Sequence, residues 1–548
     1  MTKVNPYNIS QTYKNEYLTW RDYKDLRAAK RQEYLRRNPD AIKDYDLQRT
    51  KILLSAVDMM DKSITQKSDS ISVAFETATS LGLGYAALGG ASLGYLFSKI
   101  GFVKKNIDKF TQKIPKSKNF VSVGITAICG ILGVIASYPI YNILSGFQSK
   151  IYRKRRFETM EKELENPKIF VVLEDEQKKV FNENIEEIQK NKTKQKYKSI
   201  TKKEIKNLKE IVAETINFDK KQAQFKNKYT ENKSLYEKPL TEKEIKNAKK
   251  DMVLLNILIK EINTNAQSYE EKMQKITDNL ITGSFALGSL FTLCYERIAK
   301  KLNFKTSSLP AGLGILLLAT STFFATWAQK RASLVGRYKA KQELIKNPEQ
   351  LIYISGRKTD SIEDSEIDIQ PKQKTNTFKF LKEFFKNNKE YISWKKTESL
   401  TGNDIINAME NIEISPEQMK DGKRLQKNLF KTFYKIDKNT QNYSNNVTIA
   451  SESIKYPMNL VLGTIGSVWG MKHLSTLRNT AKPSEVFKST CKYIGIISLF
   501  TIPTLFINSY SAKAKKMAAR ISDMTTMKDI EDYRFFADYS RFEENTNM

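Results

Sequence analysis

The chain has 548 residues, more than a single soluble domain normally contains, so several structural units are expected. Its 92 Lys and Arg residues against 61 Asp and Glu leave a formal net charge of +31, which favours a polyanionic neighbour such as anionic lipid or nucleic acid. The 3 cysteines are scattered through apolar runs, which excludes a disulfide framework and a cysteine-based metal site.

Residues 1–70 are polar and charged and predict a basic helical region, whose second half shows the apolar spacing of an amphipathic helix. Two uncharged runs follow, Thr77–Ser98 and Asn119–Gln148. Each exceeds the roughly 18 apolar residues that cross a hydrocarbon core of about 30 Å. Residues 71–170 are therefore predicted to form a transmembrane helical hairpin that continues into a basic exit helix.

A soluble helical insert is predicted for residues 171–275, and a second membrane hairpin with its exit helix for residues 276–354. The two arms of this hairpin are Leu280–Tyr295 and Thr306–Gln329. Residues 355–377 contain few large apolar side chains and predict a disordered linker.

Residues 378–450 predict another helical insert, which opens with an amphipathic basic segment and continues with helices starting near Thr401 and Ser415. Such charged helices are typical of coiled-coil packing. Residues 451–548 predict a third, weaker membrane hairpin and a C-terminal helix. Its arms are Tyr456–Met471 and Tyr493–Ala512.

The three hairpins share one order of elements: a lead-in helix, a shorter first arm, a longer second arm and a basic exit helix. The similar segments of the lead-in helices begin at Ile52, Val253 and Asn428. Alignment of the exit helices superimposes Arg156, Arg337 and Arg520. This recurrence indicates a threefold internal repeat, and three unrelated hairpins of similar composition are the alternative. The predicted fold is thus an all-α integral membrane protein with about six membrane helices.

Glycines are frequent in the predicted membrane arms, where small residues let two helix backbones approach closely in lipid. The residues predicted to mediate helix packing are Gly82, Gly89, Gly90, Gly94, Gly130, Gly133, Gly288 and Gly466.

The exit helices combine a short apolar stripe with many basic residues, which is typical of helices that lie on an anionic lipid surface. The residues predicted to contact lipid are Lys150, Arg153, Lys154, Arg155, Arg156, Arg331, Arg337, Lys515, Lys516 and Arg520.

Hairpins return the chain to the side that it left, so both termini and both inserts are expected on the cytoplasmic side. The turn of the first hairpin is as basic as its exit helix, so the distribution of charge does not fix this topology. Re-entrant hairpins, or hairpins packed against one another outside lipid, remain alternatives.

Catalytic chemistry finds little support in the sequence. His473 is the single histidine, and the GLGYAA stretch at Gly82–Ala87 lies inside a long apolar run rather than after a strand. We therefore expect no enzyme activity, no cofactor and no metal site.

These features predict a non-enzymatic, membrane-embedded scaffold or membrane-shaping protein. Its expected partner is an anionic bilayer; the sequence allows a homo-oligomer and disfavours nucleic acid. Two alternatives stay open. A channel or transporter fits the repeats but lacks interior charges in the spans. A soluble, elongated helical protein that binds nucleic acid through its basic faces is the other.

Overall fold

The computed structural model describes residues 44–66, 150–192, 251–280, 309–349, 377–462 and 483–531, with short gaps, and a few single positions from 93 to 146. Side chains are described from residue 324 onward in the first of the two long helices below, and mainly from residue 503 onward in the second. All regular structure in this part of the chain is helical, which confirms the prediction of an all-α protein.

Nine α-helices are named here in chain order, together with two short helices of other types. They are α1 (44–66), α2 (150–163), a 3₁₀ helix (Pro167–Phe170), α3 (Asp175–Lys192), α4 (within 251–280), α5 (Leu309–Lys346), α6 (Thr377–Lys396), α7 (Gly402–Ala408), α8 (Pro416–Asn439), a π-helix (Thr440–Asn445) and α9 (Pro483–Glu531).

Two predicted membrane arms continue into their exit helices without a break. α5 joins most of the arm Thr306–Gln329 to the basic segment after it, and α9 does the same for the arm Tyr493–Ala512. Among the residues described above, no helix combines the length and the apolar character needed to cross a membrane. The eight glycines predicted to mediate helix packing lie outside the described residues.

Two exit helices end shortly before a proline, in an Asn-Pro sequence that the chain repeats. α2 ends at residue 163, and Asn166 then caps the 3₁₀ helix by accepting a hydrogen bond from the amide of Lys168 at 2.9 Å. α5 ends at Lys346, directly before Asn347 and Pro348. Both stops follow from the clash that disfavours helical backbone before a proline ring.

Capping boxes fix the starts of α7 and α8. Thr401 and Asp404 exchange side chain to backbone hydrogen bonds, and Ser415 and Gln418 do the same. Each pair satisfies amide groups that have no partner in the first helical turn. The predicted helix starts near Thr401 and Ser415 are confirmed.

The main core is built by the three lead-in helices α1, α4 and α8 together with α2. Aligned from Ile52, Val253 and Asn428, these helices bury the same positions of their sequences. The buried sets are Leu53, Leu254 and Leu429; Leu54, Leu255 and Phe430; and Val57, Leu258 and Phe433. The exit helix α2 adds Phe157, Met160 and Leu164 to the same cluster. One core therefore joins segments that are far apart in the sequence.

A second, aromatic core lies where α6 packs on α4 and α5. Phe380, Phe384 and Tyr391 of α6 are buried against Tyr269 of α4 and Val335 of α5. The rings of Tyr269 and Phe380 meet edge to face with their centroids 5.7 Å apart. The buried aromatic side of α6 thus packs against α4 and α5.

Gly336 lies where α4 and α5 touch. A Cβ atom at this position would lie 2.9 Å from both the Cα of Ala266 and the carbonyl oxygen of Asn265. Asn265 also donates its side-chain amide to the carbonyl oxygen of Gly336 at 3.1 Å. The two backbones can approach this closely only because residue 336 has no side chain.

Gly336→Ala is expected to lower the free energy of unfolding by up to about 2 kcal/mol. Overpacking costs about 1–3 kcal/mol, and the better helix propensity of alanine returns about 1 kcal/mol at most. Denaturant unfolding followed by circular dichroism in detergent measures the change. Gly495→Ala in α9 is the control, because nothing lies within 4 Å of its added Cβ. Equal stability of the two variants would contradict close α4–α5 packing.

Candidate functional site

Charged side chains concentrate in what is here called the helical base, which comprises the lead-in helices α1, α4 and α8, the exit helix α2, and residues 331–346 of α5 and 512–531 of α9. The sequence order places each lead-in helix before a hairpin and each exit helix after it. The helical base therefore contains the described segments that flank the three predicted hairpins.

A central cluster joins the three lead-in helices. The buried carboxylate of Asp251 accepts a hydrogen bond from Arg49 of α1 and a second, of 3.0 Å, from the side-chain amide of Asn428 of α8. Arg424 of α8 approaches the same oxygen with its Nε at 4.0 Å. Asp251 stands at the start of the described part of α4. One carboxylate thus links α1, α4 and α8.

Asp421 is the second carboxylate of this cluster, so that the charges of both Arg49 and Arg424 are balanced. It accepts from Arg49 at 3.1 Å and pairs with Arg424, and the hydroxyl of Tyr45 also donates to it. Two arginines therefore meet two carboxylates.

Burial raises the pKa of two groups in this cluster, Tyr45 and Asp251. Burial raises the pKa of Tyr45 to about 12, a shift that Arg49 opposes and the hydrogen bond to Asp421 supports, so the phenol stays a donor at neutral pH. Burial also raises the pKa of Asp251, and the positive charges of Arg49 and Arg424 oppose that rise. The two arginines therefore limit the rise in the pKa of Asp251 that burial causes.

Each exit helix forms an ion pair with a lead-in helix of another hairpin. Arg156 of α2 pairs with Asp437 of α8. Arg337 of α5 pairs with Asp61 of α1 at 3.1 Å. Lys516 of α9 pairs with Glu271 of α4 at 3.0 Å. The exit helix α2 thus contacts the lead-in helix α8, the exit helix α5 contacts the lead-in helix α1, and the exit helix α9 contacts the lead-in helix α4. These three contacts form a closed cycle.

Each exit helix also packs on its own lead-in helix. The hydroxyl of Thr159 in α2 donates to Ser63 of α1 at 3.0 Å, and Asn265 of α4 donates to the backbone of α5. Asn439 of α8 donates to Thr526 of α9 at 3.0 Å. Each exit helix therefore contacts the lead-in helix of its own predicted hairpin as well as that of another.

Asp61 is the most densely paired carboxylate of the cycle. Lys341, whose side chain is buried, lies 3.4 Å from Asp61 and 2.8 Å from Asp58. Burial alone would raise the pKa of Asp61, but Arg337 and Lys341 outweigh this effect and lower it to about 2. Asp61 is therefore ionised and bound to two cations over the physiological pH range.

Trp394 of α6 covers this charged group from outside. The ammonium of Lys341 lies 4.2 Å from the centre of its ring and that of Lys62 lies 5.3 Å away. Lys62 donates to the hydroxyl of Thr397 at 2.9 Å. Burial lowers the pKa of Lys62 to about 8, with Asp58 opposing the shift. The ring shields two neighbouring lysines whose charges would otherwise repel in water-poor surroundings.

Most of the residues predicted to contact lipid meet protein groups. Arg156, Arg337 and Lys516 form the cycle of ion pairs described above. Arg331 lies over the rings of Trp327 and Tyr391, at 5.9 and 5.4 Å from their centres.

The other predicted lipid-contacting residues lie on the same exit helices. Arg153 and Lys154 are buried; Arg153 donates to Gln441 at 2.7 Å, and Lys154 pairs with Glu158 at 3.5 Å. Arg155 pairs with Glu158 as well, at 2.9 Å. The remaining three, Lys150, Lys515 and Arg520, are partly buried. Lipid binding by these ten residues stays a prediction.

Sequence reasoning missed the carboxylates that pair with these cations. Asp61 and Asp437 occupy the same position when the lead-in helices are aligned, and both pair with an aligned arginine. An acidic residue repeated beside an apolar stripe was the available signal. The described residues contain no group of three or more His, Cys, Asp or Glu side chains that could hold a metal ion.

No protein-family model, curated protein or solved structure matches the chain.

Asp61→Asn is expected to destabilise the protein by about 3 kcal/mol at pH 7, because it leaves Arg337 without its carboxylate and Lys341 with Asp58 alone. The pKa of Asp61 is lower in the folded protein than its ordinary value of 3.8, so its contribution is present above about pH 4. It is lost as the pH falls toward 2. Denaturant unfolding at several pH values measures the difference between the variant and the native chain.

Glu186→Gln on the exposed side of α3 is the control for this variant and should change stability by less than about 0.5 kcal/mol. A difference between Asp61→Asn and the native chain that persists unchanged at pH 2.5 would contradict the assigned titration.

For Asp523 of α9 we expect the opposite dependence of stability on pH. Burial raises its pKa to about 6, and Lys260 opposes this shift. The folded protein therefore binds a proton more tightly than the unfolded chain, so this group lowers stability as the pH rises from about 4 to 6.

Asp523→Asn should remove that dependence and stabilise the protein at pH 7 by up to about 3 kcal/mol, the free energy that corresponds to the difference in pKa. The variant and the native chain are compared by denaturant unfolding at pH 4 and pH 7, with Glu186→Gln as the control. A variant that is less stable than the native chain at pH 7 would show that the ionised carboxylate is needed.

Proposed function

We propose that the protein is a non-enzymatic, membrane-embedded scaffold, in which three repeated helical hairpins are fixed to one another by a salt-linked helical base. The observation that carries the proposal is the closed cycle of ion pairs between each exit helix and a lead-in helix of another hairpin. Such a cycle holds three hairpins at fixed spacing, which is the mechanical requirement of a scaffold.

Two observations support a threefold repeat within this scaffold. The lead-in helices bury the same positions of their aligned sequences. The aligned residues Arg156 and Arg337 also pair with the aligned residues Asp437 and Asp61. Three unrelated hairpins of similar composition would match in apolar character, but they would have no reason to repeat a pair between different hairpins.

The charged residues of the helical base are arranged for cohesion. Two arginines meet two carboxylates at the centre, and cations on the exit helices meet carboxylates at the periphery. Catalytic groups instead converge on a space that a substrate can enter. Mutual pairing within the helical base therefore favours an architectural role.

The membrane part of the proposal rests on the apolar runs of the sequence and on the continuity of two helices. α5 and α9 extend from the helical base into the predicted arms Thr306–Gln329 and Tyr493–Ala512. In this arrangement the inserts and the helical base lie on the cytoplasmic side. The excess of basic residues favours an anionic bilayer as the partner.

Alkaline carbonate extraction of membranes from cells that express the full chain tests the membrane assignment. The protein should stay in the pellet, because apolar spans are not released when ionic contacts are stripped. Release into the supernatant would contradict the assignment and favour the soluble, nucleic-acid-binding alternative.

Charge reversal tests the scaffold itself. Arg156→Asp should lower the thermal unfolding midpoint and expose the helical base to protease, because it places a second carboxylate beside Asp437. Arg156→Asp combined with Asp437→Arg should recover a substantial part of the loss, since the pair is restored with reversed polarity.

Arg155→Asp is the matched control for this experiment. It changes the same charge on the same helix, but Arg155 pairs with Glu158 of its own helix rather than with another hairpin. An Arg155→Asp variant as unstable as Arg156→Asp, or a double variant without recovery, would contradict the proposed link between hairpins.

A further inference from the structure

Large aromatic side chains are exposed at one end of the helical base. Phe378 in the first turn of α6 and Tyr510 in α9 are each 76% exposed, and Phe324 of α5 is 49% exposed beside Trp327. Exposed aromatic groups of this size mark surfaces that contact a partner or a membrane. They are not unfinished core, because the buried side of α6 is already occupied by Phe380, Phe384 and Tyr391.

Contacts within the second hairpin place the start of α6 beside the end of α4. Gln329 of α5 donates to Thr277 of α4 at 2.6 Å, which sets those two residues at one level. Lys272 lies 5.7 Å from the ring centre of Phe380, and Tyr269 donates to Glu383 at 3.0 Å. α6 therefore runs antiparallel to α4, and its first turn points toward Thr277 and Gln329.

The other two hairpins reach the same level. Lys330 of α5 lies 5.6 Å from the ring centre of Tyr152 in α2, which joins the first and second hairpins there. Lys516 of α9 pairs with Glu271 of α4. Farther along α9, Asp523 lies near Lys260, which precedes Glu271 in α4, so the two helices run antiparallel. Six residues along each helix therefore lead from Lys516 to Tyr510 and from Glu271 to Thr277.

This level coincides with the ends of the apolar runs of the sequence, at Gln148, Gln329 and Ala512. Basic groups accompany the aromatic rings: Arg331 lies over Trp327, and Lys379, Lys382 and Lys513 are exposed. Tryptophan and tyrosine with flanking lysine and arginine are typical of helix segments at the level of the lipid head groups.

We propose that Trp327, Phe378 and Tyr510 form an interfacial belt, which contacts the head groups of an anionic bilayer where the three hairpins leave the helical base. The inference rests on the proposed membrane embedding and goes beyond it. It defines which residues lie at the membrane surface. It also implies that the exit helices extend from this surface into water and do not lie flat on the lipid.

Two exposed apolar residues farther from this level separate the belt from a helix that lies flat on the membrane. Phe385 is 59% exposed and lies seven residues beyond Phe378 on α6, which corresponds to about 10 Å along the axis. Met524 is 40% exposed and lies fourteen residues beyond Tyr510 on α9, about 21 Å along the axis. Both should face water if the belt is correct.

The test uses nitroxide labels on the full-length chain, in nanodiscs of phosphatidylserine and phosphatidylcholine. Cys129, Cys294 and Cys491 are replaced by alanine, and single cysteines are introduced as Phe378→Cys, Tyr510→Cys, Phe385→Cys and Met524→Cys. Power saturation in oxygen and in an aqueous nickel chelate compares lipid with water accessibility. The ratio of oxygen to nickel accessibility should be several-fold higher at residues 378 and 510 than at residues 385 and 524.

Carbonate extraction of the same labelled chains keeps the two proposals separate. Chains that resist extraction but show a water-like label at residues 378 and 510 would overturn the belt and leave the scaffold proposal standing. A lipid-like label at residues 385 and 524 as well would also overturn the belt, because the helices would then lie along the membrane. Extraction of the chain by carbonate would overturn the membrane embedding on which the belt depends.

Discussion

The structure depends on the pairing of a carboxylate that is buried where three helices meet. Removing Asp251 from water costs several kcal/mol unless cations and amide donors replace the lost solvation. Arg49 and Asn428 supply those contacts from two other helices. The positive charges of Arg49 and Arg424 are both balanced only when Asp421 is also in place. The three lead-in helices must therefore assemble together, because a helix left out would strand a buried charge on its neighbours.

The peripheral ion pairs extend this constraint across the sequence. Arg156 and Asp437 are separated by 281 positions, Arg337 and Asp61 by 276, and Lys516 and Glu271 by 245. Contacts between such distant segments form only after large loops have closed, which makes folding slow. α2 cannot complete its contacts until α8 has been synthesised. The helical base is thus finished late, after all three lead-in helices and all three exit helices exist.

Local signals explain why much of the helical architecture could be predicted. The Asn-Pro stops and the capping boxes at Thr401 and Ser415 act within a few residues, so the sequence displays them directly. The partners of the basic residues could not be predicted in the same way. A lysine or arginine on an amphipathic helix has the same pattern whether it faces lipid or a carboxylate from a segment some 280 residues away. The only sequence feature that indicated an acidic partner was the presence of Asp61 and Asp437 at the same position of two aligned lead-in helices.

Burial of the apolar stripes on the exit helices is a second feature that the sequence could not predict. Phe157 and Met160 align with Ile521 and Met524, and all four belong to apolar stripes at helical spacing. The first two are buried in the main core, whereas Ile521 and Met524 are 39% and 40% exposed. The difference depends on what packs beside each helix. α2 lies against α8, a helix encoded far from it, and periodicity within one segment contains no information about such a neighbour.

The three links of the cycle are unequal, and this inequality sets where the helical base can open. The side chain of Asp437 is 7% exposed and that of Asp61 is 15% exposed, so their pairs with arginine act in surroundings of low polarity. Lys516 and Glu271 are 40% and 35% exposed. An exposed pair of this kind contributes about 0–1 kcal/mol and is screened by salt. Lysine is also a point charge without the bidentate geometry of arginine. The contact between α9 and α4 is therefore the weakest link, and opening of the helical base begins with the separation of α9 from α4.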